Sequence, residues 1–294
     1  MKKVKSTLLF LGGLCPFLSA TPLDTERVLG ILNYGQTHTK QLGDIWTLLQ
    51  GQYFTWLYIA VFFGVILSFL GHYLAIGAKT FNHSEKKITF FNLFNRIIHW
   101  VSAVGFILLV PTGLIMIWGD FFGGGVFVRA CRILHSIGCA IFIVAVLPMF
   151  FMWVKDMFFK MADIKWLLIM GGYLSKEKRE VPAYKFNAGQ KMWFWVATLG
   201  GLVMIISGAI LYFNNLNLSF LASSLGVYQI SLLRLVALIH NFLGLGVVAL
   251  FITHLYMSIF AIKGSLHSMI NGKKEVEEVK ILHSLYYKEK IQGQ

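Results

Sequence analysis

Hydrophobic residues in this chain are gathered in long runs that contain no charged side chain. Five runs of at least 22 residues lack Asp, Glu, Lys and Arg altogether, and we call them spans 1 to 5: residues 54–76, 97–118, 133–154, 192–213 and 235–262. At about 1.5 Å per residue, a helix of this length crosses a hydrocarbon layer about 30 Å thick. The pattern predicts an all-α integral membrane protein with five transmembrane helices.

The composition of the 294 residues agrees with that pattern. Hydrophobic residues make up 57% of the chain and charged residues 13%, and the mean hydropathy is +0.69. Since a soluble domain carries about 25% charged residues, the composition excludes a water-soluble enzyme.

The net charge of +13 changes the picture once the cations are sorted by position. Of the 26 Lys and Arg, 18 lie in the 1–2 connection, the 3–4 connection and the C-terminal residues, whereas residues 21–53, the 2–3 connection and the 4–5 connection hold five. The other three are Lys2, Lys3 and Lys5. Because cytoplasmic loops are enriched in Lys and Arg, this asymmetry predicts a multi-pass protein of the bacterial cytoplasmic (inner) membrane with a cytoplasmic C-terminus. Cations divided among connections do not form the continuous face that nucleic acid requires.

The N-terminus has the layout of a secretory signal peptide. Residues 1–20 combine three early lysines, an apolar stretch and small residues at Ser19 and Ala20. An uncleaved signal anchor is the alternative. We expect residues 21–53 to be periplasmic, residues 54–76 to form an additional transmembrane helix, and residues 274–294 to be a cytoplasmic tail.

Histidines are the ionisable residues of these apolar segments. Five of the nine lie within the spans or at their edges: His72, His99, His135, His240 and His254. An ionisable side chain at such depth is costly and indicates a functional site. A single histidine is better explained by an interhelical hydrogen bond, so the argument for a functional site depends on how the histidines are arranged.

Four of these histidines are predicted to form two pairs. His240 and His254 lie 14 residues apart in span 5, which corresponds to about 21 Å along a helix and to nearly the same face. His135 is in the first turn of span 3, which starts outside, and His99 is in the first turn of span 2, which starts in the cytoplasm. His135 is therefore expected level with His240, and His99 with His254. Two such pairs suit two b-type haems with bis-histidine axial ligation of the iron.

Two arginines lie three residues before ligand candidates. Arg96 precedes His99, and Arg132 precedes His135, so each lies on the ligand's face, where an anionic haem propionate would bind a cation. Interfacial placement under the positive-inside bias explains Arg96 equally well. His72 lacks a partner at its depth, and we interpret it as interfacial or structural.

The segment before span 4 has two interpretations. Asn187 and Gln190 have the spacing of a capping box at a helix start. Amide groups and a free backbone N–H at that position also suit the carbonyl groups of a quinone. The spacing favours capping.

Together these motifs resemble the cytochrome b (gamma) subunit of respiratory membrane-bound formate dehydrogenase. The resemblance covers residues 91–273 and rests on the following segments: NRIIHW at 95–100, RILH at 132–135, FNAGQKMWFW at 186–195, LIH at 238–240 with Gly244, and HLYMSIF at 254–260. All four histidines fall in the order that the family shows. The first 80 or so residues are not covered, so span 1 and residues 21–53 depart from the family's short form.

The resemblance implies a four-helix transmembrane bundle with two b-type haems, to which this chain adds one N-terminal helix. His135 and His240 would bind the outer haem, and His99 and His254 the inner haem. Asn187 and Gly189 would belong to a menaquinone site. The implied partners are an iron–sulfur subunit, which passes electrons to the outer haem, and a molybdenum- or tungsten-containing subunit, which oxidises formate. Such a chain would reduce quinone in anaerobic respiration and would not itself oxidise formate.

Other functions stay open on the residues alone. In the same class, the cytochrome b subunit of a nickel–iron hydrogenase or thiosulfate reductase would share the histidine pattern, because the electron donor is a partner subunit. From other classes, a transporter would show broken helices or repeats about a midplane site, and a haem-free membrane anchor would not need histidines at matched depths.

Overall fold

Helices dominate the computed structural model, which describes residues 42–82, 86–214 and 218–292. The predicted signal peptide and residues 21–41 lie outside the described residues. The α-helices are α1 (Gly43–Leu48), α2 (Phe54–Ala75), α3 (Leu93–Ile117), α4 (Gly125–Trp153), α5 (Met161–Leu168), α6 (Ala188–Trp195), α7 (Gly201–Tyr212), α8 (Ser219–Ser224), α9 (Gln229–Leu255), α10 (His267–Ile270), α11 (Val276–Leu282) and α12 (Ser284–Tyr287). Short π-helical or 3₁₀ turns are Leu49–Tyr53, Val154–Asp156, Met170–Gly172, Val196–Gly200, Tyr256–Ala261 and Lys288–Gln292.

Five helical stretches of the described residues are long and apolar enough to cross a membrane. They are Gly43–Ala75, Leu93–Ile117, Gly125–Asp156, Ala188–Tyr212 and Gln229–Ala261. The prediction of an all-α membrane protein with five crossing helices is thereby confirmed.

The helices begin earlier than the charge-free spans but end close to them. Spans 2 to 5 were bounded by the cations Arg96, Arg132, Lys191 and Arg234, and all four of these side chains lie inside helices. A helix continues past the hydrocarbon layer, and its first turns can carry charge, which is exposed at Arg132 and buried at Lys191 and Arg234. The absence of charge therefore marks the apolar part of each helix and not its first residue.

The Cα positions divide the chain into two compact units. The first unit comprises Met1–Ile59, Val104–Ile141 and Met204–Leu243, as far as these are described. In it, the Tyr58 hydroxyl donates to the Asn241 carbonyl oxygen at 2.8 Å, and the Asn241 side chain donates to Gln50 Oε1 at 2.9 Å. The Phe54 and Phe242 rings meet edge to face, 5.1 Å apart. These contacts fasten the additional N-terminal helix to α9.

The second unit comprises Ala60–Ala103, Phe142–Val203 and Gly244–Gln294. Its strands β1 (Lys87–Thr89) and β2 (Lys273–Glu275) pair antiparallel, with Ile88 opposite Lys274. The chain after β2 is folded: α11 buries Val279 and Leu282, and the Val181 N–H donates to the Ile281 carbonyl oxygen at 2.8 Å. The C-terminal residues thus pack onto the connection that leads to α6.

Candidate functional site

One histidine pair lies in the first unit. His135 on α4 and His240 on α9 have ring centroids 6.5 Å apart, with the ring planes at 60°. Both side chains are partly buried. The structure therefore brings together the two residues that the sequence predicts to be level.

A hydroxyl group holds the Nδ1 atom of each ring in this pair. Thr112 Oγ1 on α3 lies 3.0 Å from His135 Nδ1, and Ser207 Oγ on α7 lies 2.8 Å from His240 Nδ1. The Thr112 hydroxyl donates to the Leu108 carbonyl oxygen at 2.5 Å, and that of Ser207 to the Met204 carbonyl oxygen at 3.1 Å. Each hydroxyl oxygen therefore accepts the Nδ1 proton together with a backbone carbonyl oxygen, that of Leu109 for His135 and that of Met204 for His240. Nε2 of each ring is then the nitrogen with a lone pair for a metal.

The second histidine pair lies in the second unit. His99 on α3 and His254 on α9 have ring centroids 6.1 Å apart, with the planes at 52°. The Trp193 ring stacks on His254 at 5.7 Å and 23°. Within the described residues, His99 Nδ1 is buried and has no hydrogen-bond partner.

The spacing of both pairs fits a metal ion between two imidazoles. Two nitrogens bound at about 2.0 Å each, with ring centres about 1.1 Å behind them, put the centres about 6 Å apart. The observed 6.5 and 6.1 Å agree with that separation. Since two imidazoles leave the remaining positions to a porphyrin, the donor set fits the axial ligation of haem iron.

The two arginines differ in their surroundings. The Arg96 guanidinium donates through one terminal nitrogen to the Ile270 carbonyl oxygen at 2.5 Å, whereas its Nε is buried and has no hydrogen-bond partner within the described residues. Arg132 is exposed and lies over the Tyr212 ring, 5.9 Å from the centroid. In the structure Arg96 is thus already tied to the chain segment before β2.

Residues 187–190 form a capping box at the start of α6. The Gln190 N–H donates to Asn187 Oδ1 at 2.9 Å, and the Asn187 N–H donates to Gln190 Oε1 at 3.0 Å. The capping interpretation is confirmed. The box uses the Asn187 oxygen and backbone N–H, so its side-chain NH₂ group takes no part in the cap. A Cβ on Gly189 would lie 3.3 Å from the Trp166 ring, which shows how closely α5 packs against this turn.

A buried ion pair beside this turn was not predicted from the sequence. Lys191 Nζ lies 2.7 Å from Asp163 Oδ2, and their side chains are 1% and 3% exposed. Lys191 also donates to the Phe158 carbonyl oxygen, and Asp163 accepts the Lys160 N–H at the start of α5. Asp163 lies in a charged connection 28 residues away, so spacing carried no signal of the pairing.

His72 has partners other than a second histidine. Its Nε2 lies 2.8 Å from the Tyr173 carbonyl oxygen and donates to it, so Nδ1 accepts the Tyr256 hydroxyl proton at 2.5 Å. Phe69 stacks on the Tyr256 ring at 4.3 Å. These contacts tie α2 to the chain just after α9, and they agree with a structural interpretation of His72.

Paired histidines on apolar helices define the class of membrane-bound b-type cytochromes. Residues 90–272 match the family described as prokaryotic cytochrome b561, and the chain belongs to that family. Membership implies haem b as the cofactor.

Relatives point to one kind of complex. The chain is 30% identical over 216 residues to the cytochrome b556 subunit of the nitrate-inducible formate dehydrogenase of Escherichia coli, an alignment that covers 70% of this chain and 92% of that protein. It is 25% identical to a second formate dehydrogenase cytochrome b556 subunit of Escherichia coli (66% of this chain, 89% of the relative) and to one of Haemophilus influenzae (67% and 80%). The resemblance to the cytochrome b subunits of formate dehydrogenase is confirmed.

Proposed function

We propose that this chain is the di-haem, quinone-reducing cytochrome b subunit of a formate dehydrogenase. The observation that carries the proposal is the pairing of four histidines in two sites, with ring centroids 6.5 Å apart at His135–His240 and 6.1 Å apart at His99–His254. Each bound haem would supply a redox centre that carries one electron. Two sites would let electrons move one at a time through the apolar interior.

The chain's own residues orient each site. Thr112 and Ser207 fix the rings of the outer pair through Nδ1 and leave Nε2 for the iron. Trp193 restricts rotation of the inner ligand His254 by stacking on it. We propose Arg132 and Arg96 as cations for the propionates of the outer and inner haem. The buried Nε of Arg96 supports this role, because a buried donor without a partner is costly and an anionic acceptor would satisfy it.

We place the menaquinone site at Asn187 and Gly189. Trp193, which touches the inner ligand, is on α6, and Asn187 caps the same helix. The side-chain NH₂ group of Asn187 would donate to a quinone carbonyl oxygen, since the capping box does not use it. Reduction of a quinone to the quinol takes two electrons, from the inner haem site, and two protons, which we assign to the cytoplasmic side.

The relatives' names, which are those of formate dehydrogenase subunits, support a multi-subunit complex, and the family resemblance supplies the kinds of partner subunit. The proposed assembly contains a molybdenum- or tungsten-containing subunit that oxidises formate and an iron–sulfur subunit that delivers electrons to the His135–His240 site. Lys and Arg are concentrated in the 1–2 and 3–4 connections and in the C-terminal residues, which supports a bacterial inner membrane with these parts in the cytoplasm. Formate oxidation on the opposite side would then generate a membrane potential.

Spectroscopy of the membrane-embedded complex tests the haem sites. The reduced-minus-oxidised spectrum should show b-type haem, with two haems per chain. His240→Leu should remove one haem and leave the other, and His254→Leu should remove the other. His72→Gln is the matched control, because its ring bonds to Tyr173 and Tyr256, and it should keep both haems. One haem in the unmodified complex, or loss of both haems in each ligand variant, would contradict the assignment.

The quinone site and the donor need separate measurements. Asn187→Asp retains the capping oxygen but lacks the NH₂ group, so it should slow menaquinone reduction while haem content stays unchanged. Equal rates in the variant and the unmodified protein would leave capping as the role of Asn187. Formate, and not hydrogen, should reduce the haems in native membranes, and thiosulfate should not reoxidise the reduced haems.

A further inference from the structure

Each histidine of the outer pair contacts a hydroxyl residue and the glycine that follows it, and the two such dipeptides are on different helices. Thr112 and Gly113 meet His135, and Ser207 and Gly208 meet His240. In each case the hydroxyl oxygen contacts Nδ1, at 3.0 and 2.8 Å. A Cβ on the following glycine would lie 3.4 or 3.3 Å from Cε1 of the same ring.

Each hydroxyl–glycine dipeptide defines both the position and the hydrogen bonding of the ring that it contacts. The missing Cβ of the glycine lets the ring edge approach the helix closely. The hydroxyl is buried, at 6% exposure for Thr112 and 4% for Ser207, and its own proton goes to a backbone carbonyl one turn earlier. The hydroxyl oxygen therefore acts as a hydrogen-bond acceptor for the imidazole, and both rings of the pair have such an acceptor at Nδ1.

The inner pair is held differently. His99 Nδ1 is buried without a hydrogen-bond partner within the described residues, and His254 stacks on Trp193. Among the described residues, a hydroxyl oxygen thus contacts Nδ1 of both rings of one site and of neither ring of the other.

We propose that Thr112 and Ser207 are positioning residues that lower the reduction potential of the haem bound by His135 and His240. This inference rests on the proposed function, because it needs haem at that pair. An acceptor on Nδ1–H draws the proton toward itself and makes Nε2 a stronger electron donor to the iron. Stronger donation stabilises ferric over ferrous iron, so an electron leaves the outer site more readily. The hydroxyls would thereby favour electron transfer from the outer site to the inner site.

A hydroxyl bonded to a carbonyl one turn earlier is common in apolar helices and has a simpler explanation in backbone satisfaction. Thr253 offers the matched control. Its hydroxyl donates to the Ala249 carbonyl oxygen at 2.8 Å, and it is adjacent to the inner ligand His254 in the chain. Substitution of Thr253 removes the same kind of backbone bond without removing a bond to a ring nitrogen.

The test is a potentiometric titration of the haems in the purified complex, followed optically. His240→Leu identifies the wave that belongs to the outer haem. Thr112→Val and Ser207→Ala should each shift the reduction equilibrium of that haem toward the ferrous form by about threefold to tenfold. A tenfold shift corresponds to about 59 mV for one electron. The inner wave should stay in place, Thr253→Val should move neither wave, and Thr112→Ser should restore the outer potential.

The outcomes separate this inference from the proposed function. Absence of haem from the unmodified protein would overturn the proposed function itself. Two haems with unchanged potentials in Thr112→Val and Ser207→Ala would overturn only the role of the hydroxyls. Loss of the outer haem in Thr112→Val but not in Thr112→Ser would support the hydroxyl, because valine has nearly the same volume as threonine. Loss in both variants would show that the side chain only packs, and would overturn the inference.

Discussion

The two histidine pairs have nearly the same spacing but different surroundings. In the pair of the first unit, each ring has a hydroxyl acceptor on Nδ1 and a glycine against its edge. In the pair of the second unit, one ring stacks on Trp193 and the other has a buried Nδ1 without a partner within the described residues. Directional bonds orient the first pair, and an aromatic contact orients part of the second.

Equal ligand spacing therefore does not mean equal control of the metal. A hydrogen bond to the distal nitrogen sets ring orientation and also changes the donor strength of the ligand. A stacked aromatic ring restricts orientation and excludes water, but it does not take the Nδ1 proton. Variants of the two hydroxyl residues at the first pair should therefore change the reduction potential, and variants around the second pair should change haem occupancy and stability.

The largest effect is expected from the buried ion pair near the second histidine pair. Lys191→Met leaves the Asp163 carboxylate buried at 3% side-chain exposure without its partner, which should lower the free energy of unfolding by about 3–5 kcal/mol. Thermal unfolding, monitored through the release of haem, measures the effect. The haem at His99–His254 should be released first.

Two companion variants make that measurement specific. Lys165→Met changes an exposed lysine on the same helix as Asp163 and should change stability by less than about 0.5 kcal/mol. The double variant Asp163→Leu with Lys191→Met removes both charges and should recover part of the loss. Equal stability of Lys191→Met and Lys165→Met would contradict the proposed importance of the pair.

The aromatic contact at His254 can be broken directly. Trp193→Leu removes the ring stacked at 5.7 Å and should cost about 1–3 kcal/mol through lost packing. The inner haem content should fall, whereas the outer haem should keep both its content and its potential. Trp56→Leu, at a tryptophan that is 69% exposed, should alter neither haem. If only the outer haem content fell in Trp193→Leu, Trp193 would support the outer site and not the inner one, which would contradict the prediction.

Acidification tests the part of the second unit outside the membrane-crossing helices. Burial, with a smaller effect from Lys274, lowers the pKa of His283 to about 3, and its Nδ1–H donates to the Tyr184 carbonyl oxygen at 2.8 Å. Since the unfolded chain takes up a proton near pH 6.5, His283 contributes its full stability above that pH. The contribution falls as the pH drops toward 3, by up to about 1.4 kcal/mol per unit.

Proteolysis of the C-terminal segment after β2 reports this loss. Cleavage should accelerate as the pH falls from 7 to 5, under conditions corrected for protease activity. His283→Gln should flatten the dependence, whereas the exposed His267→Gln should leave it unchanged. The same steep dependence in all three proteins would assign the acid sensitivity to another group.

The smallest effect is expected at the glycines of the first pair. Gly208→Ala adds a Cβ 3.3 Å from Cε1 of His240, so that ring must move by a few tenths of an ångström. Gly113→Ala adds a Cβ 3.4 Å from Cε1 of His135, at the limit of ordinary contact. A several-fold weaker retention of the outer haem should follow, measured by transfer to apomyoglobin. Gly246→Ala on α9 has no atom within 4 Å of the new Cβ and should leave haem retention unchanged. Equal retention in all three variants would show that the first site tolerates added bulk.

Much of the fold was predictable from local pattern. The absence of charge located all five crossing helices and their C-terminal ends to within about a turn, because the hydrocarbon layer excludes charge over a fixed length. The earlier helix starts were missed, since Arg96, Arg132 and Lys191 interrupt the run of apolar residues but not the helix. The capping box at Asn187 was predicted because its two side chains bond within one turn.

The histidine pairs were predictable for a related reason. His240 and His254 are on one helix, where the period of 3.6 residues relates their faces, and membrane depth relates His99 and His135 to them. Both are one-dimensional quantities that can be counted along the chain. The positions and lengths of the apolar runs therefore set the number of helices and their apolar segments, and the helical period and the membrane depth identify the candidate ligands.

The surroundings of the ligands depend on contacts between distant segments. Thr112 reaches His135 across 23 residues, Ser207 reaches His240 across 33, and Lys191 meets Asp163 across 28. A hydroxyl or lysine in a helical pattern is equally consistent with a lipid-facing, backbone-bonded or buried position, because spacing does not specify the helix it faces. Packing resolves that choice, since a buried polar group is stable only where another segment supplies its partner.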